Sequence, residues 1–119
     1  NMTDEDVWRT IINQFDAWEL TDEQASALLG ISINDWFRIR AGDHDGMLTQ
    51  EMWQRLDALF RIHAALQVIL MQPRCNDWVH RPNKAELFGG QTALSFMIEG
   101  GWPAIDQVMR YLEAELVMW

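Results

Sequence analysis

The residues able to do covalent or metal chemistry are few and scattered. Cys75 follows Pro73 and Arg74, and a neighbouring guanidinium can lower a thiol pKa. No histidine stands in a firm relation to it, so a structural role is expected rather than a nucleophilic one. A single cysteine also excludes an internal disulfide. His44 sits between Asp43 and Asp45. Adjacent residues on a turn converge poorly on one ion, and Gly46 marks a plain loop. His63 falls on a mostly apolar stretch, where a packed histidine is the simpler expectation. Gly89-Gly90 follows no strand and lacks the spacing of a phosphate loop. Glu113 and Glu115 read as a solvated helix face, not an acid–base pair. The expectation is therefore a protein that is not an enzyme, with no catalytic residues, no metal site and no cofactor.

The elements that carry these residues are helical almost throughout. No stretch alternates cleanly and β-branched residues are few, so no strand is expected. Thr3-Asp4-Glu5-Asp6 offers a cap with acids in the first turn, opening a helix whose Val7, Ile11, Phe15 and Trp18 form one apolar stripe. Trp8 and Ile12 widen it. Thr21 to Gln24 is a second capping box, before a short helix that Gly30 ends. Ser32 opens a third, closed by Ala41-Gly42. Thr49 caps a long helix to about Met71, with Met52, Leu56, Leu59, Phe60, His63, Leu66 and Leu70 on or near one face. Pro73 stops it. Short irregular pieces follow around Trp78. Thr92 to Glu99 and a helix from Trp102-Pro103 complete the chain, the latter with Ile105, Val108, Met109, Leu112 and Leu116 as its apolar face. Composition shifts at 72–77, which divides the chain into a helical domain at 2–71 and a smaller one at 72–119.

The bulk numbers bound the function. The 119 residues carry eighteen acids and nine bases, a formal charge of −9, with 49% hydrophobic residues. Such a chain buries a real core and is not an acidic tail. No apolar run approaches the roughly 18 residues a membrane span needs, and nothing at the N-terminus reads as a signal peptide. A soluble cytoplasmic protein without membrane contact is expected. Asn1 ahead of Met2 is read as a remnant preceding the natural start. Eight of the nine bases are arginine, and seven residues are tryptophan. Both types favour protein interfaces. Trp8, Trp18 and Trp36 suit a core, whereas Met52 and Trp53 cannot both lie centrally on one narrow face, and one of the two is a candidate for packing a dimer partner.

Residues 21–42, TDEQASALLGISINDWFRIRAG, have the layout of a helix-turn-helix. Small Ser26 permits a close helix crossing and Gly30 the tight turn, while Ile31, Trp36 and Ile39 wedge the second helix inward. Ser32, Ile33, Asn34, Phe37, Arg38 and Ala41 then face outward. Ser32, Asn34, Arg38 and Arg40 are the candidate DNA contacts, to base edges or phosphate. Ile33 and Phe37 do not suit a charged groove, and Asp35, three residues after Ser32, is expected as its capping partner. Residues 1–23 hold seven acids and one base, and residues 24–63 five acids and four bases. With no basic stripe around the motif, a protein partner is a better first expectation than promoter DNA.

The order of these parts resembles the Xre/MbcA/ParS antitoxins. The long helix, LTQEMWQRLDALFRIHAAL, is similar to the family's segment through Leu48, Arg55-Leu56, Ile62 and Ala64-Ala65. The C-terminal stretch is more specific. In WVHRPNKAELFGGQTALSFMIEGGWPAIDQVMRYLEAEL, the residues Trp78, Pro82, Leu87-Phe88, Gly90, Thr92, Leu94 and Gly100 match the family's layout. Ala93 stands where proline is commoner. The resemblance spans about residues 20–116. It implies an all-α type II antitoxin, a helix-turn-helix bundle followed by a small toxin-binding unit that covers the active site of a RES-domain, NAD-consuming toxin. It also implies a homodimer and, in many members, autoregulation of the operon. Trp78, Pro82, Phe88 and Trp102 are the candidate toxin contacts. Met118 and Trp119 join them because an apolar tail ending in tryptophan can anchor in a pocket. The alternatives are a dimeric DNA-binding regulator without a toxin and an adaptor that contacts proteins through the same motif.

Overall fold

The computed structural model describes residues 2–117. They form seven α-helices: α1 (Asp4–Ala17), α2 (Asp22–Leu29), α3 (Ile33–Arg40), α4 (Gln50–Ile69), α5 (Arg74–Asp77), α6 (Ala93–Gly100) and α7 (Trp102–Val117). A 3-10 turn at Trp78–His80 follows α5. No strand occurs among the described residues; one isolated bridge pairs Pro82 with Thr92. The fold is all-α. These residues fall into two compact units, the first ending at Asp57 and the second beginning at Ala58, so the division lies inside α4.

In the first unit, hydroxyl caps start each helix. Thr3 Oγ1 accepts from the Asp6 amide and Thr21 Oγ1 from the Gln24 amide, and the side chains of Asp6 and Gln24 accept in return from the two cap amides. Each satisfies two donors that a helix N-terminus would leave orphaned. Ser32 Oγ likewise accepts from the Asp35 amide at 3.1 Å. Asp35 is thus the capping partner through its amide, and its carboxylate Oδ1 lies 3.5 Å from Arg38 Nη1. Thr49 Oγ1 accepts from the Met52 amide and opens α4 as the sequence implies.

The core of this unit is aromatic. Trp8, Trp18, Trp36, Phe15, Ile11, Leu28 and Leu29 are all essentially inaccessible. Phe15 packs 5.8 Å from Trp36 and 6.3 Å from Trp18, within the range of favourable ring pairs. The Trp36 indole N–H donates to Asp22 Oδ1 at 2.9 Å, which ties α3 to the start of α2 and satisfies a buried donor. The turn between those helices is closed from α4. Arg55 donates to the Leu28 carbonyl at 2.9 Å, and its guanidinium lies 3.2 Å from where a Cβ on Gly30 would stand. With Gly30 at φ 69°, the position excludes a side chain on two counts.

The second unit buries Leu59, Ile62 and Leu66 of α4, Cys75, Val79 and Phe88 of the connecting segment, and Leu94, Met97, Ile105, Val108 and Leu112 of α6 and α7. Thr92 caps α6 through the Ser95 amide. Helices α6 and α7 meet at a tight corner. A Cβ on Gly100 would fall 2.5 Å from that of Ala104, closer than side chains approach. Arg61 on α4 makes a two-pronged contact with Glu113 on α7, at 2.9 and 2.6 Å.

Candidate functional site

The second unit organises its surface around one buried ring. Phe88 is 2% exposed, and three half-buried aromatics present their edges or faces to it. Trp78 lies at 5.8 Å and 81°, Phe96 at 5.4 Å and 78°, and Tyr111 at 5.5 Å and 86°. Edge-to-face pairs of this kind add about 0.5–1.5 kcal/mol each beyond simple burial.

The segment that carries Phe88 is built from backbone hydrogen bonds. The Asn83 amide donates to the Gln91 carbonyl and the Gly90 amide to the Asn83 carbonyl. Asn83 Oδ1 accepts from the Ala85 amide at 2.9 Å. A short turn results, with the Phe88 amide donating to the Ala85 carbonyl, and this turn directs the ring inward. Gln91 Nε2 donates to Glu99 Oε2 at 2.8 Å and holds the end of the turn against α6.

The expected toxin contacts separate accordingly. Trp78 and Trp102 are half-buried and Pro82 is exposed. Phe88 lies in the core, with Trp78, Phe96 and Tyr111 packed around it. Met118 and Trp119 lie outside the described residues. Phe96 and Tyr111, which the sequence reading did not single out, complete the cluster. Phe96 is four residues after the Thr92 cap, and Tyr111 is one position off the apolar stripe of α7. Those two offsets were the available signal. Cys75 is buried, and its Sγ lies 3.9 Å from Asn76 Oδ1. Among the described residues no three metal-ligating side chains converge.

The expected DNA contacts are on α3 of the first unit. Ser32, Asn34, Phe37, Arg38 and Ala41 are exposed and Ile33 is half-buried, while Trp36 and Ile39 face the core. The arrangement of faces is thus the one the sequence implies. Its chemistry differs in detail. Ser32 Oγ already serves as the helix cap. Arg38 Nε donates to Asp43 Oδ2 at 3.1 Å, and that bond raises the guanidinium pKa above its ordinary value. Arg40 pairs with Asp16 at 3.3 Å and lies 5.6 Å above the Trp36 ring. Both cations of the helix are held by carboxylates of the same unit.

Comparison with known proteins gives two findings. Residues 64–115 match the family model described as the antitoxin Xre/MbcA/ParS C-terminal toxin-binding domain. The match begins within α4 and lies wholly inside the second compact unit. The chain is also similar to an uncharacterized protein, y4oB, of Sinorhizobium fredii. The two are 31% identical over 101 residues, 84% of this chain and 76% of the relative. No solved structure matches the chain.

Proposed function

Because this chain belongs to the Xre/MbcA/ParS antitoxin family, we propose that it neutralises a RES-type, NAD-consuming toxin by binding it through the second unit. The observation that carries this reading is a coincidence of boundaries. The segment matching a toxin-binding domain is also the segment that folds around Phe88 and presents Trp78, Phe96 and Tyr111 at its surface. Ordered aromatics are the side chains that most often dominate binding energy. The role is one of binding, not catalysis. The reading places the protein in the cytoplasm, where an NAD-consuming toxin acts, and makes it a homodimer by analogy with the family. No helix among the described residues is long and apolar enough to cross a membrane.

Operator binding, and with it autoregulation, draws less support. The α2–turn–α3 segment has the capped helices, left-handed glycine and buried Trp36 and Ile39 that a helix-turn-helix needs. To contact phosphate, however, Arg38 and Arg40 would first exchange Asp43 and Asp16 for it.

The test is co-elution of the full chain with a RES-domain protein from the same genome. The complex is expected to survive gel filtration. Trp78→Ala and Trp102→Ala are each expected to weaken it by about 2 kcal/mol, roughly thirtyfold. Circular dichroism on the free variants separates lost contact from lost fold. Separate elution of the two wild-type proteins would refute the reading.

A further inference from the structure

The first unit lies outside the family match, and its helix α3 carries an apolar stripe that the toxin-binding reading does not use. Ile33, Phe37 and Ala41 follow one another at four-residue spacing on the outward side of α3. Phe37 is 47% exposed. The ring is left about half in water, while Trp36 and Ile39 fill the inward face of the same helix.

The charge around the stripe states what can cover it. Residues 1–57 hold twelve acids against four arginines, a net charge of −8, whereas residues 58–119 hold six acids against five bases, a net −1. Nearly all the acidity of the chain therefore belongs to the unit that bears α3. The imbalance persists locally. Arg38 is shared between Asp35 and Asp43, one cation for two exposed carboxylates. Arg40 is matched by Asp16, and Asp45 follows in the adjoining turn. A polyanion approaching α3 meets this surplus of negative charge, with no uncommitted cation on the helix to offset it. A second copy of the same face would bring the same surplus of carboxylates against it. A cationic surface meets attraction at the rim and an apolar contact at the centre, which is how interfaces with fast, salt-sensitive association are built.

We propose that the outward face of α3, centred on Phe37 and Ile33, is a docking surface for a cationic, amphipathic segment of a protein, and that it is not a DNA-reading face. The proposal does not rest on the toxin assignment, because it concerns residues the family match does not reach.

The experiment uses the full chain and two defined probes. One is a synthetic helical peptide with leucine on one face and lysine on the other; the second is a DNA duplex of the region upstream of the gene. A glutamate-for-lysine version of the peptide is the control. The cationic peptide is expected to bind, to weaken about tenfold as salt is raised from well below to above physiological ionic strength, and to weaken about tenfold in Phe37→Ser. Ile33→Ser is expected to weaken it in the same direction, and Arg38→Ala to leave it intact or tighten it. Both apolar positions are at the surface, and an unchanged helical spectrum verifies that the variants fold. Three results would overturn the proposal: peptide binding indifferent to Phe37→Ser and Ile33→Ser, equal binding of the glutamate control, or binding of the duplex that Arg38→Ala abolishes.

Discussion

Glu19 and Gly30 occupy the same backbone device with opposite chemistry. Helix α1 ends with the Leu20 amide donating to the Phe15 carbonyl and the Glu19 amide to Asp16; α2 ends with Ile31 to Ser26 and Gly30 to Ala27. Both are closing motifs that require a left-handed residue, and Glu19 takes that conformation at φ 54° despite its Cβ. A non-glycine residue there costs about 1–2 kcal/mol, partly offset by the entropy glycine loses on folding. Glu19→Gly is therefore expected to stabilise the protein by about 0.5–1 kcal/mol in urea unfolding. Gly30→Ala is expected to destabilise it by about 2 kcal/mol or more, because strain adds to displacement of Arg55 from the Leu28 carbonyl. His63 supplies a pH dependence. Burial disfavours its charged form and holds its pKa below 6.5. Between the folded and unfolded values the unfolded chain binds the extra proton, so stability falls as pH drops below 6.5. His63→Gln is expected to remove that part of the slope from a series of unfolding curves.

At the scale of elements, helix starts were the most legible part of the sequence. Thr3, Thr21, Ser32, Thr49 and Thr92 all cap the helices their spacing implies, because an N-cap is a local contract between a hydroxyl and an amide three residues on. The inward and outward faces of α3 were legible for the same reason: period and one buried tryptophan define them. What the sequence concealed was long-range. Arg55 closes a turn 25 residues before it, and Phe96 and Tyr111 join Trp78 around Phe88 only once α6 and α7 have folded back on each other. The corner between α6 and α7 tests how closely that packing is specified. Gly100→Ala is expected to cost about 1–3 kcal/mol, since the added methyl has no room beside Ala104. An equal stability in thermal unfolding would mean that the corner opens freely.

Across the whole molecule, the two units differ in charge more than in architecture. A first unit at −8 and a second at −1 point to two kinds of encounter. Contacts through α3 should respond steeply to salt, whereas toxin binding through the aromatic surface of the second unit should change by less than about threefold over the same range, because screening acts on charge and not on apolar burial. Titration calorimetry at several ionic strengths would separate the two. The most direct measurement is cellular NAD and growth during induction of a RES-domain toxin from the same genome, alone and with this chain. The expected result is that NAD collapses and growth stops with the toxin alone, and that co-expression of the full chain restores both, with Trp78→Ala restoring less. Continued loss of NAD despite abundant, folded full-length chain would contradict the account.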